Sequence, residues 1–392
     1  MTTPRNATPP TAGEVYALIR ARGRLTRSEV GRLTGLSRTA VAARVSALIA
    51  LGLVDESAPA PSTGGRPATY LSFAADAGVV LAAAVGRSRT QLAVYDLAGR
   101  TLAASTLDQE PGVGPDDLMP DVVKGLDALL AECGRADARI FGVGLSLPGT
   151  VDQGRGAVSD SPVMSGWDGV PLRPYFAELT DAPIILDNDV NVIAGAERAP
   201  GGSDLDDLLV LKASTGLGLG IIAGGVLQRG ATAAAGEFGH NKVAAAAGIP
   251  CRCGDVGCVE AIAGGWAVVR DLRRAGRPVA HVRDVVELAN AGDAEARRMI
   301  RDSGRHVGAA LASAVNLLNP AALVISGDLA GAYDVYVAGL RETLYRDATA
   351  LATRELQVVP GAFGDQAGLI GSAAVALDRV LSPAAIDAAA LS

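Results

Sequence analysis

Apolar positions fall into two regimes along the chain. From residue 12 to residue 56 they recur at helical spacing. Val15, Leu18 and Ile19 mark an apolar stripe on a first helix. Thr26, Arg27, Ser28 and Glu29 form a capping box that opens a second helix, on which Val30 and Leu33 are expected to face inward. Gly35 permits a sharp turn, and Ser37 caps a third helix whose Val41, Val45, Leu48 and Ile49 follow i, i+4, i+7 and i+8 spacing. Arg38, Thr39, Ala42, Ala43 and Arg44 fall on or near the other face, which is small, basic and of a size to enter a DNA major groove. After Gly52, segments 53–56 and 69–73 read as paired strands around a Pro/Gly-rich tip at 59–67. The pattern predicts a winged helix-turn-helix over residues 11–73, with a flexible N-terminus at 1–10 and a linker at 74–78.

The second regime begins near residue 75, where composition turns to Ala, Val and Gly and short apolar runs alternate with helical segments. Strands are expected at 79–85, 91–96, 139–146, 184–186, 208–212, 218–223 and 323–325. Helices are expected at 116–133, 294–318 and 366–380. Such alternation predicts an α/β domain in two lobes over residues 79–392.

Composition narrows this picture. The chain has 392 residues and a net charge of −7, but residues 1–70 carry nine Arg against four acidic residues, a balance of +5 that leaves −12 for the rest. A basic head on an acidic body points to nucleic acid at the head alone. Charge by itself fits a solvated arginine-rich face equally well. The helix-turn-helix pattern, the wing and Gly64-Gly65-Arg66-Pro67 decide for DNA, since Arg66 stands on a slim chain able to enter a minor groove. Arg27, Ser37, Arg38, Thr39, Arg44 and Arg66 are therefore the candidate DNA contacts, on a double-stranded operator with inverted-repeat symmetry. No apolar stretch approaches the roughly 20 residues that span a bilayer. Residues 1–10 lack an apolar leader core. No membrane association and a cytoplasmic location are expected.

Three of the four cysteines crowd together. His240, Cys251, Cys253 and Cys258 offer one imidazole and three thiolates within nineteen residues, enough for a closed tetrahedral zinc site. With no open position the ion, one Zn2+ per subunit, would be structural, pinning the loop over 240–260. Cys133 reads as a small buried residue.

Gly236-Glu237-Phe238-Gly239-His240, the run from Cys251 to Glu260, and Asp187-Asn188-Asp189-Val190-Asn191 together resemble the ROK family of repressors and sugar kinases, over nearly the whole chain. The resemblance implies an actin-like ATPase (ribonuclease H-like) fold, two lobes around a cleft, behind the winged helix-turn-helix. It also implies sugar contacts at Asn188, Asp189, Glu237, His240 and Glu260, with Gly149 and Thr150 on the cleft wall. Asp189 matches the base that activates the sugar hydroxyl in kinase members. The departures matter as much. Kinase members open with Asp-x-Gly-Gly-Thr, whereas this chain reads Ala84-Val85-Gly86-Arg87-Ser88, and a later glycine triplet becomes Ser326-Gly327-Asp328. Phosphoryl transfer rests on charge neutralisation and positioning, so loss of the metal-site carboxylate argues against catalysis. The expectation is a homodimeric or homotetrameric regulator, a repressor of carbohydrate genes responding to a sugar or sugar phosphate, with Asp189 serving as a sugar acceptor only. A sugar kinase carrying a DNA-binding head is the alternative.

Overall fold

The computed structural model describes residues 9–59, 69–87, 89–110, 112–159, 164 and 166–391. In the head, α1 (Ala12–Arg22), α2 (Arg27–Thr34) and α3 (Arg38–Ala50) enclose one apolar core. Strands β1 (Arg24–Thr26), β2 (Val54–Pro59) and β3 (Thr69–Phe73) form an antiparallel sheet in the order β1-β3-β2. The Thr26–Glu29 box closes at both ends: the Thr26 amide donates to Glu29 Oε2 at 2.7 Å, and the Glu29 amide to Thr26 Oγ1 at 3.3 Å. Thr11 and Glu14 build the same device on α1, where the sequence reading had none. Gly35 ends α2 in the left-handed region, φ +73°, which a β-carbon disfavours.

Val15, Ile19, Val30, Val41, Val45 and Leu48 are fully buried, but Leu33 and Ile49 are not, at 38% and 36% exposure. At about 100° per residue Ile49 lies roughly 80° from Val41, at the rim of the apolar stripe, and the inward assignment of both residues is corrected accordingly. The wing tip 60–68, with Arg66, lies outside the described residues.

The body repeats one sheet twice. Its first lobe has β4 (Val79–Val85), β5 (Arg89–Asp96), β6 (Thr101–Asp108), α4 (Pro115–Glu132), β7 (Ile140–Leu147), a small hairpin β8–β9 (Thr150–Asp152 and Ala157–Ser159), β10 (Ile184–Asn188) and α5 (Asp189–Ala196). The second lobe has β11 (Leu208–Ala213), β12 (Leu217–Ala223) and β13 (Val226–Leu227). It continues through α6 (Glu260–Ala263), α7 (Gly265–Arg274), α8 (Val282–Asn290), α9 (Ala294–Leu318), β14 (Ala322–Ser326), α10 (Tyr333–Asp347), α11 (Ala350–Thr353), β15 (Gln357–Pro360), α12 (Ala367–Val380) and α13 (Pro383–Leu391). Strand orders are β10-β7-β4-β5-β6 and β13-β12-β11-β14-β15. In each lobe the first three strands form an antiparallel meander, and the fourth and fifth add in parallel beyond the first. Parallel addition needs a crossover, which α4, α9 and α10 supply. The expected strands and helices are present, with ends moved by one to two residues. Cys133 caps α4 and is half-buried rather than buried.

The two helices that follow the sheets are exchanged: α5 leaves the first sheet and packs on β11 and β12, while α12 leaves the second and packs on β4 and β7. The head joins the body through more than its connecting segment. Residues of α1 and α3 share a continuous core with Val80, Leu97, Ala376, Leu377, Leu381 and Ile386. Gly13 sits so close to α13 that a β-carbon there would stand 2.1 Å from the Pro383 carbonyl oxygen, and its amide donates to Asp387 Oδ1 at 2.8 Å. The segment 74–78 is itself pinned, with the Ala74 amide donating to Leu53 O and the Leu97 amide to Ala75 O.

Candidate functional site

A cleft of about 830 Å3 separates the lobes. All seven residues expected to meet a sugar line it: Gly149, Thr150, Asn188 and Asp189 from the first lobe, Glu237, His240 and Glu260 from the second. Asn188 ends β10 and caps α5, accepting from the Val190 and Asn191 amides at 2.8 and 3.4 Å while its Nδ2 donates to Gly149 O at 2.9 Å. Both ends of its amide are thus engaged, and its effect is to hold Asp189 at the first position of α5. Lys212 on β11 donates to Asp189 Oδ2. Asp187, nearly fully buried, takes two bonds from Arg229 at 2.6 and 2.9 Å and one from Asn191 Nδ2 at 3.0 Å. Sequence reasoning passed over Lys212 and Arg229, because each meets its carboxylate more than twenty residues away and no local motif signals such pairs.

Glu260 is buried at the start of α6. Its Oε2 accepts from the Leu217 amide at 2.9 Å and its Oε1 from Trp266 Nε1 at 3.1 Å. The Gly-Glu-Phe-Gly-His run can lie this close to β12 only because it carries glycines. A β-carbon on Gly236 would fall 1.9 Å from Leu219 O, and one on Gly239 would fall 2.5 Å from Leu217 O. Glu237 lines the cleft. Desolvation raises its carboxyl above the usual range, opposed by His240 and reinforced by the Asp189 and Glu260 carboxylates. The Asp189, Glu237 and Glu260 carboxylates and the His240 imidazole on a concave wall suit a polyhydroxylated ligand, whose hydroxyls can pair with them.

His240 faces two ways. Its Nδ1 is 3.8 Å from Cys251 Sγ, and its Nε2 is 3.9 Å from Glu237 Oε2 on the cleft side. Ligand atoms of His240, Cys251, Cys253 and Cys258 all lie within 4.8 Å of one another, a group that could hold a metal ion. Cys253 Sγ and Cys258 Sγ are 3.7 Å apart. A tetrahedral zinc ion with bonds of about 2.3 Å spaces its sulfur ligands roughly 3.8 Å apart, so the donor set fits. Lys242 Nζ donates to Cys258 Sγ at 3.1 Å. Without a dication, burial pushes the Cys251 thiol up to about 12.

On the head, Arg38 and Thr39 are exposed at the start of α3, which Ser37 caps by accepting from the Ala40 amide at 3.2 Å. Arg27 pairs with Glu56. Arg44 turns back along the helix and donates to Pro10 O and to Ala40 O.

Comparison with known proteins agrees with this anatomy. Residues 10–55 match a winged helix-turn-helix DNA-binding family. The xylose repressor of Bacillus subtilis is 23% identical, with 91% of this chain and 92% of that protein covered. The glucokinase of Halalkalibacterium halodurans is 28% identical but covers only 73% of this chain against 91% of its own length. A solved structure described as a ROK family transcriptional regulator, homolog of the E. coli MLC protein, superposes with a TM-score of 0.79 at 25% identity, covering 97% of this chain and 98% of its own. Among the described residues no single helix is long and apolar enough to cross a membrane. Residues 80–379 match the ROK family, and with the twice-built sheet, the cleft motifs and the cysteine cluster all in register, this chain belongs to it.

Proposed function

We propose that the chain is a DNA-binding transcription regulator, a repressor of carbohydrate-metabolism genes, whose grip on its operator is set by a sugar or sugar phosphate in the cleft. The observation that carries this reading is the course of α12: Ala367 and Gly368 at its start line the cleft, and Ala376 and Leu377 near its end pack beneath the head. A rod of 14 residues spans about 21 Å, so a shift at the cleft reaches the head without passing along the connecting segment. Full-length kinship with a repressor supports the same reading.

In this reading Asp189, Glu237 and Glu260 accept sugar hydroxyls, His240 contributes Nε2, Asn188 positions Asp189, and Gly149 and Thr150 form the wall. One zinc per subunit is held by His240, Cys251, Cys253 and Cys258, and its role is structural: it fixes the loop that presents Glu237. The head reads its site through Arg38 and Thr39, with Ser37 capping, Arg27 and Arg44 bracing the fold, and Arg66 entering the minor groove from the wing. A homodimer or homotetramer binds an inverted repeat, because two-fold symmetry in the protein demands it in the site. The kinase alternative is disfavoured by Arg87 in place of a phosphate-loop glycine and by Asp328, whose carboxylate accepts from Ser214 in the cleft and would repel a nucleotide.

The test is operator binding by the full chain, titrated with pentoses, hexoses and their phosphates. A ligand can change operator affinity only by its difference in affinity for the two forms. Asp189→Ala should abolish that response while ligand-free operator affinity stays within about twofold. ATP-dependent sugar phosphorylation by the wild type would overturn the reading in favour of the kinase.

A further inference from the structure

A second cavity, about 670 Å3, opens beside the cleft and shares Arg87, Thr215, Arg252, His281 and Val282 with it. Five arginines line it, Arg87, Arg252, Arg270, Arg273 and Arg274, around Trp266, and no Asp or Glu among the described residues does. This concentration lies in a chain of net charge −7.

Neutralisation from within is slight. Asp271 pairs with Arg270 at 2.7 Å and with Arg274 at 3.4 Å, and no other carboxylate among the described residues pairs with any of the five. Arg252 and Arg270 lie over the Trp266 ring at 4.6 and 5.0 Å, which holds their planes without cancelling their charge. Arg273 Nε donates to Val279 O at 2.6 Å. Arg87 Nε is buried and has no hydrogen-bond partner. Like charges crowded into a recess repel one another, and a buried unpaired donor is costly. An anion in the cavity offsets the mutual repulsion of the guanidinium groups.

We infer that this cavity is a binding site for the phosphate group of a small phosphorylated molecule, distinct from the hydroxyl-binding wall of the cleft. A single carboxylate would leave most of the charge unmatched, whereas phosphate presents several oxygens to guanidinium forks. Trp266 is already covered by guanidinium groups, so recognition is by charge and not by stacking a nucleobase. The cavity also communicates with the cleft, because Trp266 Nε1 donates to Glu260 Oε1. The phosphate belongs either to a phosphosugar whose ring lies in the cleft or to a free phosphate or pyrophosphate ion.

The test uses the full chain without DNA, so its failure leaves the regulator reading untouched. Pyrophosphate and orthophosphate are titrated at constant ionic strength, followed by calorimetry and tryptophan emission. The expected result is saturable binding of one equivalent with an emission change that Trp266→Phe removes, since Trp167 is buried elsewhere and donates to Val113 O. Arg87→Ala should weaken binding at least about tenfold, the scale of a lost charge-assisted bond. Arg87→Lys should restore part of it. Arg274→Ala, at an exposed side chain whose loss leaves the fold intact, should weaken it several-fold. Glucose 6-phosphate that competes with pyrophosphate identifies the phosphosugar source, and pyrophosphate that binds together with glucose identifies the free ion; either supports the site. No saturation beyond that with chloride, or binding within twofold of wild type in both Arg87→Ala and Arg274→Ala, would overturn it.

Discussion

Arg38 and Arg44 lie on one helix yet are held differently. Arg38 is exposed at the N-terminus of α3, while Arg44 is drawn back onto Pro10 O. Arg38→Ala should therefore cost roughly 1–3 kcal/mol of operator binding and relax preference at one base position, measured by anisotropy on a set of single-base operator variants. Arg44→Ala should instead loosen the start of α1 and affect all sequences alike. The metal cluster makes a second residue-scale claim. Cys253→Ser should release the zinc and weaken sugar binding through the loop, and elemental analysis finding no zinc in clean wild-type protein would refute the assignment. These motifs were legible in the sequence because their residues are neighbours in the chain. The double use of His240, Nδ1 toward the cysteines and Nε2 toward Glu237, was not, since it is decided by how the loop lies against β12.

Elements were legible in proportion to their length and their punctuation. The bounds of α9 follow from the sequence because Asp293 caps its start, accepting from the Ala296 amide, and Asn319 ends it at φ +45°. Short pieces such as β1, three residues, and β13, two residues, carry no periodicity, and they form only because a neighbouring strand is there to pair with. Leu33 and Ile49 show the limit of helical spacing: it marks a stripe but not its edges. The Thr26 capping box ties α2 to β1, so Thr26→Ala should lower stability by about 1 kcal/mol. The loss should appear in denaturant melts monitored by far-ultraviolet circular dichroism.

The attachment of head to body could not be read from the chain order, because α1 meets α13 across 374 residues. The sequence reading offers only a linker at 74–78 between head and body, whereas the packing of α12 and α13 against the head provides a second and broader connection. Removing residues 383–392 should cost about 3 kcal/mol of docking, from Ile386 burial and the Gly13–Asp387 bond together. Sugar affinity measured by calorimetry should be unchanged, while the sugar dependence of operator binding falls. The twice-built sheet bears on the ligand itself. The β4–β5 turn and the β11–β12 turn hold the same place in their respective lobes, and both line the cleft. A bound molecule is thus served by two copies of one device, and two copies permit a division of labour. One turn carries Ser214-Thr215-Gly216 and the other Gly86-Arg87, so one offers hydroxyls and slim backbone where the other offers a guanidinium charge.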